Sequence, residues 1–286
     1  MTPARRSQDA DEPETGEPSR DDPVLLGLRE VESRYRETLA LLHQLRGNYC
    51  LASDEFRRAA LLNRSSQERV SEFRDRMYLL SALDARGQHR DAEAEWRVVV
   101  SLIDTMSLAP SWLWRPVRRL ARLGRIAEAE RLMHVMQKGL GSTADSSVAR
   151  NLALDRRYMD AAQAEIELAR GRTVRAIELL EPLRNALKLE IDESLATAYA
   201  AAGRVPEAVG RLEDLVKAPP PGSELQQTWL VSHLALGGLY ERSGRADAAQ
   251  RVYASLIDRW KDADSDLPLL ATARTGLMRT SNSSRE

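Results

Sequence analysis

The sequence predicts an all-α protein built from about six helix–turn–helix units, and three observations predict it. The chain is rich in Ala, Leu, Arg and Glu, with two Phe and few runs of Val, Ile or Thr, a composition that favours helices over strands. Helical spacing of apolar residues runs from Pro23 almost to the carboxy terminus. Six stretches also align on a glycine: RGNYCLASDEF, RGQHRDAEAEW, LGRIAEAERLM, RGRTVRAIELL, AGRVPEAVGRL and SGRADAAQRVY.

Along the chain, residues 1–22 hold seven acids, three arginines and no large aliphatic side chain after Met1. Nothing there offsets the entropy of ordering, so the segment is expected to be a disordered acidic tail. Asp22-Pro23 then supplies an N-cap followed by proline at the first helical position. A helical-repeat domain is expected over 23–281, with a disordered end at 282–286. Within it each aligned glycine is followed five residues later by Ala and nine later by a large apolar residue. The sets are Gly47/Ala52/Phe56, Gly87/Ala92/Trp96, Gly124/Ala129/Met133, Gly171/Ala176/Leu180, Gly203/Ala208/Leu212 and Gly244/Ala249/Tyr253. Glycine permits the positive φ that ends one helix and turns the chain into the next. The alanine allows close approach of the second helix, and the large side chain fills the space between pairs. A pair cannot bury both faces alone, so neighbours stack.

Net charge is −1, which gives no field to draw nucleic acid or an anionic membrane. The chain has 38 Arg against four Lys, spread throughout, so one arginine cluster weighs less than it would elsewhere. Cys50 is the sole cysteine, which excludes an internal disulfide and suits a reducing, cytoplasmic setting. The sequence has no apolar run of membrane-spanning length and a polar amino terminus, so neither a span nor a secretory signal is expected.

The glycine-phased unit resembles the tetratricopeptide repeat. LATAYAAAGRVPEAVGRL and LALGGLYERSGRADAAQRVY carry the resemblance best, with a small residue seven before the glycine (Ala196, Gly237) and a tyrosine four before it (Tyr199, Tyr240). Upstream units depart from the pattern, with His43 and Glu167 at the aromatic place. The resemblance implies a right-handed superhelical solenoid. Residues 158–280, and WKDADSDLPLL most of all, resemble the carboxy-terminal repeat region of bacterial serine/threonine protein kinases. That likeness implies a helical sensor or interaction module and not kinase activity.

Catalytic and metal motifs do not survive inspection of their spacing. His89-Arg90-Asp91 opens like a kinase catalytic loop, but Trp96 stands where that loop needs a metal-holding Asn. Asp262, Asp264 and Asp266 have calcium-loop spacing, yet Leu267 and Ala273 occupy the places of the required Gly and Glu. A helix cap by Asp266 before Leu267-Pro268 is the expected alternative. His43, His89, His134 and His233 have no partner at metal-ligand spacing. Gly139-Leu140-Gly141-Ser142 reads as a helix stop and surface loop, and 218–222 as a stiff connection. No catalytic residue, metal or cofactor is expected.

Repeats of the resembled family present their first helices along a concave groove. Transferred through the glycine register, that implies groove positions at Arg74, Met77, Ser81 and Trp114. Further along it implies Arg118, Arg122, Glu165, Glu193, Thr197, Leu234 and Glu241. Arg115, Arg118 and Arg122 recur at helical spacing in SWLWRPVRRLARLGR, where Trp112, Val117, Leu120 and Leu123 take packing positions and Pro116 should kink or shorten the helix. These arginines fit either a solvated face or a contact with an acidic partner. Glu37 and Leu41 occupy the places of the clamp found in chaperone-binding relatives, which disfavours that function. The expected function is a non-catalytic scaffold or adaptor binding a protein or peptide, an acidic segment being one form of it. A regulatory module of a kinase-type signalling system and an enzyme with an unrecognised site are the alternatives. Self-association stays open; nucleic acid and membrane are not expected partners.

Overall fold

The computed structural model describes residues 23–139 and 146–283. Among these residues the protein is all-helical, without strands. The helices are α1 (Pro23–Leu45), α2 (Tyr49–Ser65), α3 (Arg69–Ala85), α4 (His89–Thr105), α5 (Pro110–Arg122), α6 (Ile126–Gly139) and α7 (Ser146–Ala169). They continue as α8 (Thr173–Leu180), α9 (Lys188–Ala201), α10 (Val205–Lys217), α11 (Gln226–Arg242), α12 (Ala246–Arg259) and α13 (Pro268–Ser283). The expected tail, the loop after Gly139 and residues 284–286 lie outside the described residues. Asn282 and Ser283 belong to α13, so the helical run passes the expected boundary at 281.

The aligned glycines sit in the three-residue turns that join α1 to α2, α3 to α4, α5 to α6, α7 to α8, α9 to α10 and α11 to α12. At Gly47, φ is +82°; its N–H bonds the Gln44 carbonyl at 3.0 Å and the Asn48 N–H bonds the His43 carbonyl at 2.9 Å. Those two bonds satisfy carbonyls left over at the end of α1, and the left-handed residue between them swings the chain round. Between α2 and α3 the non-glycine Gln67 takes the same conformation, at φ +62°. Turns this short make each helix pack against the next.

Ala52, Ala92, Ala129, Ala176, Ala208 and Ala249 are all buried, as are Phe56, Trp96, Met133, Leu180, Leu212 and Tyr253, in one contiguous apolar cluster. Tyr253 shows how tightly this packing is specified. A Cβ added to Gly237 of α11 or Gly276 of α13 would come within 2.5 Å of its ring. Pro116 is accommodated inside α5, which spans 13 residues. Val117 and Leu120 are buried, whereas Leu123 is exposed, so not every expected packing position is filled.

The two ends of the helical run meet. Trp260 is fully buried against Gly47, where a Cβ would lie 3.0 Å from the indole and 2.5 Å from Ala263. Asp264 donates its N–H to the Gly47 carbonyl at 3.2 Å, and its carboxylate accepts the Cys50 N–H at 2.8 Å. It is therefore Asp264 that caps a helix, and the helix is α2. Asp266, the expected cap of α13, is exposed and lies 3.9 Å from Arg86. Between α1 and α11, Gln226 donates to the Leu41 carbonyl at 2.6 Å and Gln44 donates to Gln227 at 3.1 Å, while Tyr49 of α2 donates to Gln227 at 2.6 Å.

Candidate binding cavity

Helix α5 begins at Pro110, whose missing N–H costs nothing at a first helical position. Its residues 115, 118, 119 and 122 share one face by helical spacing, and that face forms one wall of a cavity of about 420 Å³. Opposite stand Met77, Tyr78 and Ser81 of α3 and Thr228 and Val231 of α11, with Leu41 of α1 and Leu269 of α13 closing the sides. The cavity thus lies where the ends of the described helical run meet, and apolar groups and arginines share its lining.

Each arginine of that face is held by an acid of this chain. Arg115 pairs with Glu224 at 2.5 Å, and Glu224 also accepts the Tyr78 hydroxyl at 3.1 Å. Arg119 grips Asp84 through Nε at 2.7 Å and Nη2 at 3.0 Å, with its guanidinium 5.3 Å from the centre of the Trp96 ring. Arg118 pairs with Glu165 at 3.2 Å and with Glu193, and donates to Thr228 at 3.3 Å. Arg122 pairs with Glu193 at 2.5 Å and Glu165 at 3.4 Å, while the Ser194 hydroxyl also donates to Glu165.

Helices α5, α7 and α9 therefore share a compact four-membered ion cluster. Burial alone pushes the Glu193 carboxyl up, but Arg122 and Arg118 overcome it and hold it down to about 2. Arg118 is lowered, first by burial and then by the positive neighbour Arg122. For Arg122, burial works downward and the two carboxylates outweigh it, so its guanidinium is raised.

The groove positions implied by the resemblance are divided among several places. Met77, Ser81, Arg115, Arg118 and Arg122 do line one cavity. Trp114 does not; at 1 % exposure it lies beneath Arg118 and beside Tyr158, part of the core. Glu165 and Glu193 stand behind the arginines as their counterions. Thr197 donates to the Glu193 carbonyl at 2.9 Å and, with Leu234, lines a separate hollow of about 280 Å³ rimmed by Arg242. Arg74 is tied to Glu37 at 2.6 Å, and Glu241 holds the Tyr253 hydroxyl at 2.5 Å and Arg279 at 2.9 Å.

The solvated-face reading is corrected for Arg118, which is 12 % exposed; Arg122, at 39 %, keeps solvent on one side, and both are engaged with acids of this chain. Sequence reasoning missed Tyr78, Glu224, Thr228, Val231 and Leu269, which line the cavity because distant segments converge there. No local spacing marks them; the aromatic place four before Gly87 is held by Leu83, not Tyr78. Among the described residues, no group of three or more His, Cys, Asp or Glu is arranged to hold a metal, and no helix is long and apolar enough to cross a membrane. Comparison with protein-family models and with curated proteins returned no match.

Proposed function

We propose that the chain is a non-catalytic scaffold or adaptor of tetratricopeptide type, a right-handed solenoid that takes a protein or peptide segment against its first helices. The observation that carries this reading is the cavity between α3, α5 and α11. It offers apolar surface at Met77, Leu123 and Val231 beside guanidiniums whose orientation is already fixed by acids. Preorganised donors around an apolar centre suit recognition, because little side-chain freedom remains to be lost on binding. A volume of about 420 Å³ admits a few side chains of an extended segment and not a whole helix. Ser81, Asp84 and His89 line the cavity, but Asp84 is committed to Arg119 and no hydrogen bond joins Ser81 to His89, so binding without turnover is the reading carried forward. A cytoplasmic location accords with the single cysteine.

The second reading, a ligand sensor in a kinase-type signalling system, draws on one further observation. The cavity is bordered by both ends of the helical run, so an occupant would touch both α1 at Leu41 and α13 at Leu269.

A filling substitution tests the site without disturbing the ion cluster. Ser81→Trp puts an indole into the cavity and should weaken a partner captured from native lysate by at least ~10-fold, about 1.4 kcal/mol, while the thermal transition stays close to the parent's. An unchanged affinity in a folded variant would remove the cavity from the reading. Arg118→Glu with Arg122→Glu is the wrong test, because it would bury four acids together and unfold the region.

A further inference from the structure

The charges around the cavity are balanced by the chain itself. Arg115, Arg118, Arg119 and Arg122 meet Glu224, Asp84 and the deeper pair Glu165 and Glu193, four guanidiniums to four carboxylates. Burial raises Glu224 and Glu193, but their arginines outweigh it, leaving Glu224 lowered and Glu193 held down to about 2. An incoming carboxylate would therefore be repelled by a resident acid at much the same range as it is attracted by that acid's arginine. An incoming cation would meet the mirror image. Either would give up its hydration for little return, a cost that a neutral occupant does not carry.

Beyond the ion pairs, the lining offers uncharged hydrogen-bonding groups. The Ser81 side chain has no polar partner among the described residues. Gln227 is used at one end only, and a relay of side-chain amides decides which end. The relay starts at the Leu41 carbonyl, which can only accept, so the Gln226 group that meets it at 2.6 Å is the N–H2. That N–H2 also donates to the Gln44 oxygen at 3.2 Å, which turns the Gln44 N–H2 onto the Gln227 oxygen at 3.1 Å. The Tyr49 hydroxyl donates to the same oxygen at 2.6 Å. Gln44 and Gln226 are buried, so neither amide can reverse without setting donor against donor. The relay ends on the Gln227 N–H2, which has no acceptor among the described residues, on a side chain that lines the cavity. Met77, Leu123 and Val231 supply apolar surface in the same lining. A fixed, unused donor beside apolar groups and balanced charges suits a peptide carbonyl flanked by an apolar side chain.

We propose, resting on the peptide-site reading of the cavity, that its occupant is an uncharged segment: Gln227 donates to one of its backbone carbonyls while an apolar side chain fills the space between α3 and α11. Selection of a displayed library of short random peptides on the full chain, with Ser81→Trp as counter-selection, tests the charge class. Peptides kept by the parent and lost by the variant should share an apolar residue with no acid or base beside it. Synthetic copies with blocked ends, measured at pH 8 above the range in which imidazoles titrate, should change in affinity by less than ~2-fold between ~50 and ~500 mM salt. Acidic or basic peptides whose affinity falls at least ~10-fold over that range would overturn the neutral occupant and leave the cavity a peptide site. A selection that yields no cavity-dependent peptide would remove the site and the proposal with it. Gln227→Glu isolates the donor, because a carboxylate still offers an oxygen to Tyr49 and Gln44 but has no N–H. Affinity for the selected peptides should fall at least ~10-fold in that variant, with the thermal transition near the parent's. Undiminished affinity in the folded variant would overturn the role of Gln227. A thioamide scan of the selected peptide reads the same bond on the parent, from the ligand side. One carbonyl position should lose at least ~3-fold in affinity, and a flat scan would overturn the donation.

Discussion

Asp192 and Glu193 are neighbours on α9, and both are buried, but they lie in opposite electrostatic regions. Glu193 faces α5, where Arg118 and Arg122 reach it, and it is held down to about 2 against the effect of burial. Asp192 faces the α10 side with no exposure, and neither carboxylate oxygen has a hydrogen-bond partner among the described residues. Burial pushes it up to about 6, and the more distant Arg211, Lys188 and Arg184 only moderate that. Asp75 falls between them in geometry: Asn63 donates to it at 2.6 Å and Arg74 stands 3.5 Å away, yet burial still drives it up to about 7. Burial therefore acts in the same direction on all three. Direct donation from guanidiniums decides whether the charge is kept, and one neutral amide is not enough.

The largest expected effect breaks the favourable side of this comparison. Glu193→Gln leaves two guanidiniums sharing Glu165 in a mostly buried site, and should cost about 3–5 kcal/mol in urea unfolding at pH 7. A loss below ~1 kcal/mol would mean that water already screens the cluster. The parent's contribution from Glu193 is fully present above its ordinary value of 4.5 and disappears as pH falls through about 2, so parent and variant should converge in strong acid.

The opposite sign is expected next door. Because the folded state raises Asp192 above its ordinary 3.8, its ionisation costs stability progressively from pH 3.8 to about 6, and the cost is complete above that. Asp192→Asn should therefore raise stability at pH 7 by about 1–2 kcal/mol, less than the full shift because the amide is also unpartnered. At pH 4 the gain should vanish. Equal differences at both pH values would show that packing, and not charge, sets the effect.

The smallest effect probes a carboxylate that is neither clustered nor orphaned. Asp264→Ala removes the cap that the 260–267 segment lends to α2, with an expected loss of about 1 kcal/mol. Hydrogen exchange should report it locally, as faster exchange at Cys50 and its neighbours. A loss confined to α13 would contradict the cap of α2 across the junction between the first helices and the last.

What could be read in advance divides along the same lines. The six turns were legible because Gly47 and its equivalents must adopt a left-handed φ, and that demand is local. Ala52 and Phe56, with their counterparts, were legible because a helix has a fixed period and a close approach excludes large side chains. The arginines of α5 were visible as a face, but not their counterions. Glu165 and Glu193 lie 43 and 71 residues from Arg122, too far along the chain for helical spacing to pair them. Trp114 was misread for a related reason, since the face it belongs to is covered by α7, where Tyr158 lies against its ring.

By itself the sequence determined the helices, their turns and the small-and-large interlock of each pair, since these depend on φ, on helical period and on side-chain volume within some ten residues. Only the tertiary structure decided that Trp260 would close on Gly47, that Asp264 would cap α2 and that Arg118 and Arg122 would find acids of their own. Those outcomes rest on contacts between residues far apart in the chain, and no local pattern of residues records them.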